Sequence, residues 1–403
     1  MGLQVALDRT WYRRHVRSRT SQKAARFEES VIREMSRICT QEGGINLAQG
    51  FPDFEAPLPM KEAAKRAIDA DINQYAITWG AESLRKAVAK RTSEYNRIPT
   101  DANANVTVCC GATEAMIATM LAILDPGDEV CLFEPFYENY GPDCWISGAI
   151  PRFCRLHSPD WAIDFDELEQ AFGKKTRAII LNTPHNPTGK VFSRDELTRI
   201  AELCVKHDVL AITDEIYEYI LYDSAEHISI ASLPGMAERT ITISGLSKTW
   251  SATGWRVGWC VAPEEISLAI RKMHDFLTVG APAPLQEAAA EALAFETEYF
   301  EGLRREYRER RDILLETLEG VGFGVSRPLG AYYIMCDIRD LAKPAETDTD
   351  FAMRILRSGG VASVPGSSFY SDPQNGNREI RFCFAKKHET LHEAARVLRE
   401  RLG

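Results

Sequence analysis

The 403-residue sequence lacks any apolar run approaching the roughly 20 residues that cross a bilayer, and no apolar signal core stands near its start. A membrane-spanning helix is therefore not expected, and a cytoplasmic location is. A surplus of positive charge is missing too: 48 Lys and Arg face 58 Asp and Glu, for a net charge of −10. Binding a phosphate backbone requires clustered basic surface, so small molecules, not nucleic acid, are the expected partners. The ten cysteines include no C-x-x-C pair and mostly sit in apolar runs. They read as small buried hydrophobes, not as a disulfide frame or a zinc site. Internal repeats and low-complexity segments are also absent.

What is present is an ordinary soluble composition, 45% hydrophobic and 26% charged, in a chain long enough for two or three structural units. Residues 9 to 26 are basic and acid-poor, and read as an arm that is solvated or docked on a neighbour. Gly50 and Pro52 then mark a boundary loop over 46–53. From Pro59 to about 290, helical periodicity (60–70, 81–95, 113–124, 193–206, 263–277) alternates with strand-like runs (106–110, 129–133, 151–155, 177–182, 208–213, 240–244). Such alternation predicts a parallel sheet covered on both faces, with ligands in the crevice at the strands' carboxyl ends. A long amphipathic helical region over 287–318 follows. Runs at 332–337, 361–364 and 378–384, with helices near 348–358 and 387–402, then suggest a second, smaller α+β unit.

The loops after the strands carry the chemistry. Val106–Cys110 runs into Gly111-Ala112-Thr113, a helix start whose free N–H groups and dipole suit a phosphate. Asn182-Thr-Pro184-His185-Asn186-Pro187-Thr-Gly189 is a proline-stiffened loop bearing two amides. The run 209–213 delivers Asp214 and Tyr217, and an aspartate at a buried strand end requires a cation. Ser244-Gly-Leu-Ser247-Lys248 presents a lysine, with Arg256 eight residues on. An amine that is desolvated or set beside cations loses its proton and traps carbonyls. Together these supply a Schiff-base lysine, an acid for a pyridinium nitrogen, amide and phenol groups for a ring oxygen, and a phosphate cradle. That inventory describes pyridoxal phosphate.

Gly245-Leu-Ser-Lys248-x-x-Ser-Ala-x-Gly254-x-Arg256-Val-Gly258 resembles the signature of the class I/II aminotransferases of fold type I. Asn73-Gln-Tyr75, Glu134-Pro-Phe-Tyr137, Asn182–Gly189 and Asp214-Glu-Ile-Tyr217 are similar in order and spacing. Leu47-Ala-Gln-Gly50-Phe-Pro-Asp-Phe54, His227–Met236 and Ile380-Arg381-Phe-Cys-Phe384 resemble the branch of kynurenine/glutamine, aromatic, methionine and succinyl-diaminopimelate aminotransferases. The resemblance implies an α/β large domain over 58–292 with a mostly parallel sheet. It also implies a smaller α+β domain built from 1–57 and 293–403. It further implies amino transfer between an α-amino acid and a 2-oxo acid, with Lys248 as the Schiff-base and proton-shuttling lysine. By the same resemblance Asp214 pairs with the ring nitrogen, Tyr217 and Asn186 with the ring oxygen, and Tyr137 stacks on the ring. Arg256, Ala112, Thr113 and Ser244 or Ser247 hold the phosphate. Tyr75 reaches it from the other subunit of a homodimer. Arg381 clamps the substrate carboxylate, assisted by Asn186 and Gly50.

Gly245 stands where relatives carry a serine, which leaves the phosphate-binding serine open. Thr278-Val-Gly280-Ala-Pro282, the expected partner-derived pocket edge, carries no charge, so a neutral, aromatic or sulfur-containing side chain is favoured. An acidic-substrate aminotransferase, or a β-lyase on the same scaffold, is the alternative. His388-Glu-Thr-Leu-His392 satisfies the zinc-protease pattern but lies in an Arg- and Glu-rich C-terminal helix with no third ligand, so it is read as surface. Gly320-Val-Gly322-Phe-Gly324 follows a helix and lacks dinucleotide-fold spacing. His185 and His227 read as bystanders. A transcription regulator with an aminotransferase-like sensor would need a recognition helix, and the residues before 44 lack that patterning.

Overall fold

The computed structural model describes residues 19–27 and 29–403. Arg9, Arg13, Arg14 and Arg17 of the basic arm lie outside the described residues. Within the described part of the arm, Lys23 Nζ donates to Ile146 O at 2.8 Å, and the Phe27 ring lies 6.2 Å from that of Trp145. This stretch is docked on the chain's own helix Tyr140–Ser147.

The central sheet has eight strands, in the spatial order Val106–Cys109, Gly258–Val261, Thr240–Gly245, Leu210–Asp214, Thr176–Asn182, Glu129–Glu134, Ile150–His157, Ala162–Ile163. Pairing is parallel through the five central members from 240–245 to 150–157. These strands are long apolar runs because both faces are covered. Ile179, Leu181 and Ala211 pack with Leu197, Ile200 and Cys204 of the helix Arg194–His207 on one face. Ile180, Ile212 and Ile243 pack with Met116, Met120 and Ile270 on the other. Helix 194–207 starts where its sequence says it should: Ser193 and Glu196 form a reciprocal capping box.

The expected parallel pairing fails at both edges, and at one of them Ala162–Ile163 runs antiparallel to Ile150–His157. Gly258–Val261, four residues too short to show a period, inserts between 106–109 and 240–245 and runs antiparallel to both. Two successive reversals leave strand 106–109 pointing the same way as the central strands. Its outgoing loop therefore opens on the same edge as theirs. The insertion requires glycine at Gly245 and Gly258: a Cβ on Gly245 would lie 2.9 Å from Gly258 Cα, and one on Gly258 2.6 Å from Ala112 N. The unusual Gly245 is thus a packing contact.

A second sheet is antiparallel, in the order Gly324–Val325, Tyr333–Asp337, Glu379–Cys383, Val364–Pro365. The loop expected over 46–53 begins as a strand, because Ile45–Asn46 pairs in parallel with Val361–Ala362. The helical region at 287–318 is two helices, Ala283–Leu293 and Thr297–Gly320, since Glu296 is extended at φ −71°, ψ 165°. Helices Val31–Glu42, Tyr140–Ser147 and Phe165–Ala171 had no counterpart in the sequence reading. All ten cysteines are free, and only Cys110 is not fully buried. Among the described residues no helix is long and apolar enough to cross a membrane.

Candidate active site

Five strands end on one edge, and their loops, with Gly50 and the Tyr333–Asp337 and Glu379–Cys383 strands, enclose a cavity of about 300 Å³. Lys248, Asp214, Tyr217, Asn186, Arg381 and Gly50 all line it. So do Ala112, Thr113, Tyr137, Ser247 and Arg256. Two candidates do not. The Ser244 hydroxyl donates to Glu218 Oε1 at 2.7 Å, away from the cavity, so of the two serines only Ser247 lines it. Tyr75 is 86% exposed and stands outside this cavity, so one chain does not bring it to the site.

The lysine is held where its sequence position aims it. Lys248 is half-buried, its Nζ facing the cavity and donating to Gly50 O at 3.1 Å. Its pKa is lowered to about 8. Burial is the main cause, with Arg381 and Arg256 adding and Asp214 opposing. Of the two causes the sequence leaves open, desolvation and neighbouring cations, desolvation leads.

At the end of strand 210–214, Asp214 is buried; its Oδ2 accepts from the Tyr140 hydroxyl at 2.8 Å and its Oδ1 from Ile216 N–H at 3.3 Å. Burial raises its pKa, while those two donors pull the other way. No cation pairs with it among the described residues. Asn182 locks the neighbouring loop: its Nδ2 donates to Asp214 O at 2.8 Å and its Oδ1 accepts Asn186 N–H at 2.7 Å. Asn186 Oδ1 accepts from Arg381 Nη1 at 2.8 Å, which turns its amide NH₂ to other work. Tyr217 and Tyr333 share a hydrogen bond of 3.1 Å between their hydroxyls.

Arg381 sits on strand Glu379–Cys383 and is fully buried. Its Nη2 donates to Ala48 O at 2.8 Å, Tyr333 lies 4.1 Å beneath its guanidinium, and Nε has no partner. A buried guanidinium without a carboxylate is costly. Among the described residues Arg256 likewise hydrogen-bonds only a carbonyl, Thr253 O at 2.9 Å, while standing over the N-terminus of helix Ala112–Ile123. A Cβ on Gly111, whose φ is +84°, would lie 2.5 Å from Arg256 Nη2. Glu114 braces this turn from behind, accepting Cys110 N–H at 3.0 Å and pairing with His274 at 3.0 Å.

Tyr140, Tyr333 and Asn182 escaped assignment. A tyrosine three residues past Tyr137 on an unforeseen helix gave no signal; Asn182 stood in a motif already singled out. The cavity also carries charge that the 278–282 edge did not suggest. Arg33 and Glu138 line it, and Asp143 is 6% exposed with Oδ2 unpartnered. His185 is enclosed against Thr188, its pKa lowered to about 3 by burial, and does not line the cavity. His388 gathers with Glu306 and Glu309, and His392 is not of that group, so the two histidines do not converge on one metal position.

A half-buried lysine of depressed pKa, and, among the described residues, a buried acid without a cation and two arginines without anions, on one edge of a mostly parallel sheet, define the class: a fold type I transferase. Solved structures agree. An N-succinyldiaminopimelate aminotransferase from Mycobacterium tuberculosis superposes with a TM-score of 0.90 at 39% identity, covering 94% of this chain and 99% of that one. An Escherichia coli protein with a methionine aminotransferase function superposes at 0.91 and 35% identity, covering 95% and 100%. The chain belongs to the class I and II aminotransferases, whose family model matches residues 42–398. Among curated relatives, human kynurenine–oxoglutarate transaminase 1 is 37% identical over 91% of this chain and 94% of its own length. The protein is therefore an aminotransferase enzyme acting on amino and oxo acids.

Proposed function

We propose that the enzyme uses pyridoxal phosphate to move the amino group of an α-amino acid with a neutral, aromatic or sulfur-containing side chain to a 2-oxo acid. The observation that carries this reading is the set of unmatched charges. Asp214 lacks a cation, and Arg256 and Arg381 lack anions. A pyridinium nitrogen, a phosphate and a substrate carboxylate complete them in that order. Arg256 and Ser247, with the N–H groups at Ala112 and Thr113, would hold the phosphate. Tyr217 and the free NH₂ of Asn186 would hold the ring oxygen, and Tyr137 the ring face.

When bound, the cofactor supplies an aldehyde for amine capture and a ring that accepts the electron pair left at Cα. The chain's residues do the rest. Arg381 fixes the α-carboxylate, which orients the Cα–H bond toward Lys248. The Lys248 amine, with a pKa of about 8, is a competent base near neutral pH and moves that proton at Nζ. Asp214, oriented by Tyr140, keeps negative charge at the ring nitrogen.

The exposed Tyr75, with Ile72, Ile77 and Phe276 also exposed, favours a homodimer in which Tyr75 serves the partner's phosphate site. The pairing of Ile45–Asn46 with Val361–Ala362 supports a small domain made of 1–57 and 293–403 around a large domain of 58–292. Arg33, at the cavity wall without an ion pair among the described residues, favours a dicarboxylic 2-oxo acid as amino acceptor.

The test is the half-reaction. Purified enzyme with pyridoxal phosphate is mixed with a panel of amino acids, and loss of the visible absorbance is followed with keto-acid analysis. Methionine and aromatic amino acids should give keto acid. Ammonia and pyruvate from a β-substituted substrate, with none of the 2-oxo acid that keeps the substrate's own side chain, would overturn the reading. Lys248→Ala should bind the cofactor without turnover.

A further inference from the structure

Two glutamates bracket the cofactor-facing loop and have no part in the steps above. Glu215 follows Asp214 and is fully buried; Glu218 follows Tyr217 and is 5% exposed. Buried carboxylates are expensive unless hydrogen-bonded and charge-compensated. Both are hydrogen-bonded through one shared cluster; a single cation touches it, at Glu215, and burial raises the pKa of Glu218. Glu215 Oε1 accepts the Ser229 hydroxyl at 2.7 Å and its Oε2 meets His227 Nε2 at 2.7 Å. Asn96 Nδ2 donates to Glu215 at 3.2 Å and to Glu218 at 2.8 Å, and Ser244 donates to the other Glu218 oxygen at 2.7 Å.

The compensation comes from the imidazole. Arg304 and Arg91 are near, but they direct their donors to Tyr95, Tyr219 and the Tyr219 carbonyl. Among the described residues His227 is the only cationic group hydrogen-bonded to either carboxylate. Its ring lies nearly parallel to that of Tyr95, at 9° and 6.3 Å between centroids, and Nδ1 has no partner. Burial works against its charge, and Glu215 and Glu218 outweigh that, so its pKa is raised.

The cluster ties together pieces far apart in sequence. Asn96 comes from a π-helical turn, Thr92–Asn96, which closes at Arg97 in the left-handed region, φ 59°. Tyr95 of the same turn donates to Glu218 O at 2.9 Å. Ser244 lies on the strand that delivers Lys248. Asp214, Tyr217 and Lys248 are therefore each chained to a member of this one cluster.

We propose that His227 is a positioning residue for the active site: as counter-ion of the Glu215–Glu218 pair, it fixes the loop from which Asp214 and Tyr217 reach the cofactor. The proposal rests on the roles given above to those two residues. It also gives physical content to His227-x-Ser229, the start of a segment that otherwise touches nothing in the cavity.

The experiment compares His227→Gln, which removes the charge, and Ser229→Ala, which removes one hydrogen bond to Glu215 but no charge, with wild type. Besides KM, four quantities are read: thermal midpoint, dissociation constant of the apoprotein for pyridoxal phosphate, the pH midpoint of the visible absorbance of the lysine-bound cofactor, and kcat. His227→Gln should weaken cofactor binding roughly 10-fold, move the absorbance midpoint and lower kcat roughly 10-fold or more, the scale of one charge-assisted hydrogen bond. KM for the amino acid, set by Arg381, should change less than about twofold. A lower thermal midpoint with the other three unchanged would make His227 mere filler and overturn the proposal. If His227→Gln does not fold, Ser229→Ala decides: a smaller effect in the same three readouts supports the proposal, and none refutes it. Wild-type protein that gains no visible absorbance with pyridoxal phosphate defeats the cofactor reading instead. Absorbance present in wild type and unaltered in both variants defeats this proposal alone.

Discussion

The Tyr140 hydroxyl donates to Asp214 Oδ2 across 2.8 Å, with both side chains buried and no water-filled gap needed between them. Hydrogen bonds to charged groups contribute about 1.5–3 kcal/mol, roughly 10- to 100-fold. Tyr140→Phe should therefore reduce kcat and cofactor affinity by about that factor while leaving KM for the amino acid nearly unchanged. Steady-state kinetics and equilibrium dialysis measure both.

Arg381→Lys keeps the charge but loses the planar fork that addresses Asn186, Ala48 and an incoming carboxylate together. KM for every amino acid should rise by roughly 100-fold, whatever the side chain. A loss confined to some substrates would show that Arg381 reads side chains instead.

Asp143 gives a pH test that needs no cofactor. Burial raises its pKa to about 7, whereas an unfolded aspartate titrates near 3.9. The folded state thus keeps a proton that the unfolded chain releases. Below about pH 4 both states are protonated and stability is unaffected; as pH rises to 7 stability falls, and above 7 the loss is complete. Asp143→Asn should flatten this dependence, with apoprotein thermal midpoints higher than wild type at pH 8 and equal near pH 4. The gain at pH 8 is on the order of 2–4 kcal/mol.

Arg33→Ala should raise KM for a dicarboxylic 2-oxo acid severalfold and leave that for pyruvate unchanged, since an exposed cation contributes up to about 1 kcal/mol. Competition between the two acceptors makes the comparison direct. Equal effects on both would remove Arg33 from acceptor recognition.

The apoprotein lysine offers a further pH measurement. With a pKa of about 8, Lys248 should capture pyridoxal increasingly well from pH 7 to 9, where an ordinary lysine near 10.4 barely changes in its free-base fraction on an absolute scale. A stopped-flow pH series on the apoprotein would place the midpoint.

The alternating strands and the loops after them were legible because burial on both faces forces long apolar runs. Asn186, Asp214 and Lys248 then fall at strand ends by position alone. Gly258–Val261 was not legible, because four residues between two longer strands carry no period and their reason is a Gly245–Gly258 contact made only in three dimensions. Ser244 looked like a phosphate ligand because it precedes Lys248, yet strand alternation turns its hydroxyl to Glu218. His227 looked isolated for the opposite reason: its partner Glu215, and Asn96 which donates to that same carboxylate, meet only through the sheet and a π-helical turn.

The Gly50 carbonyl accepts two donors, Lys248 Nζ at 3.1 Å and the Tyr332 hydroxyl at 2.9 Å. A buried acceptor abandoned by its only donor costs about 1–3 kcal/mol. With Tyr332 standing second, the lysine can leave Gly50 and return in every turnover without orphaning that oxygen. Departure of the amine then leaves the Gly50 oxygen with a hydrogen bond still in place.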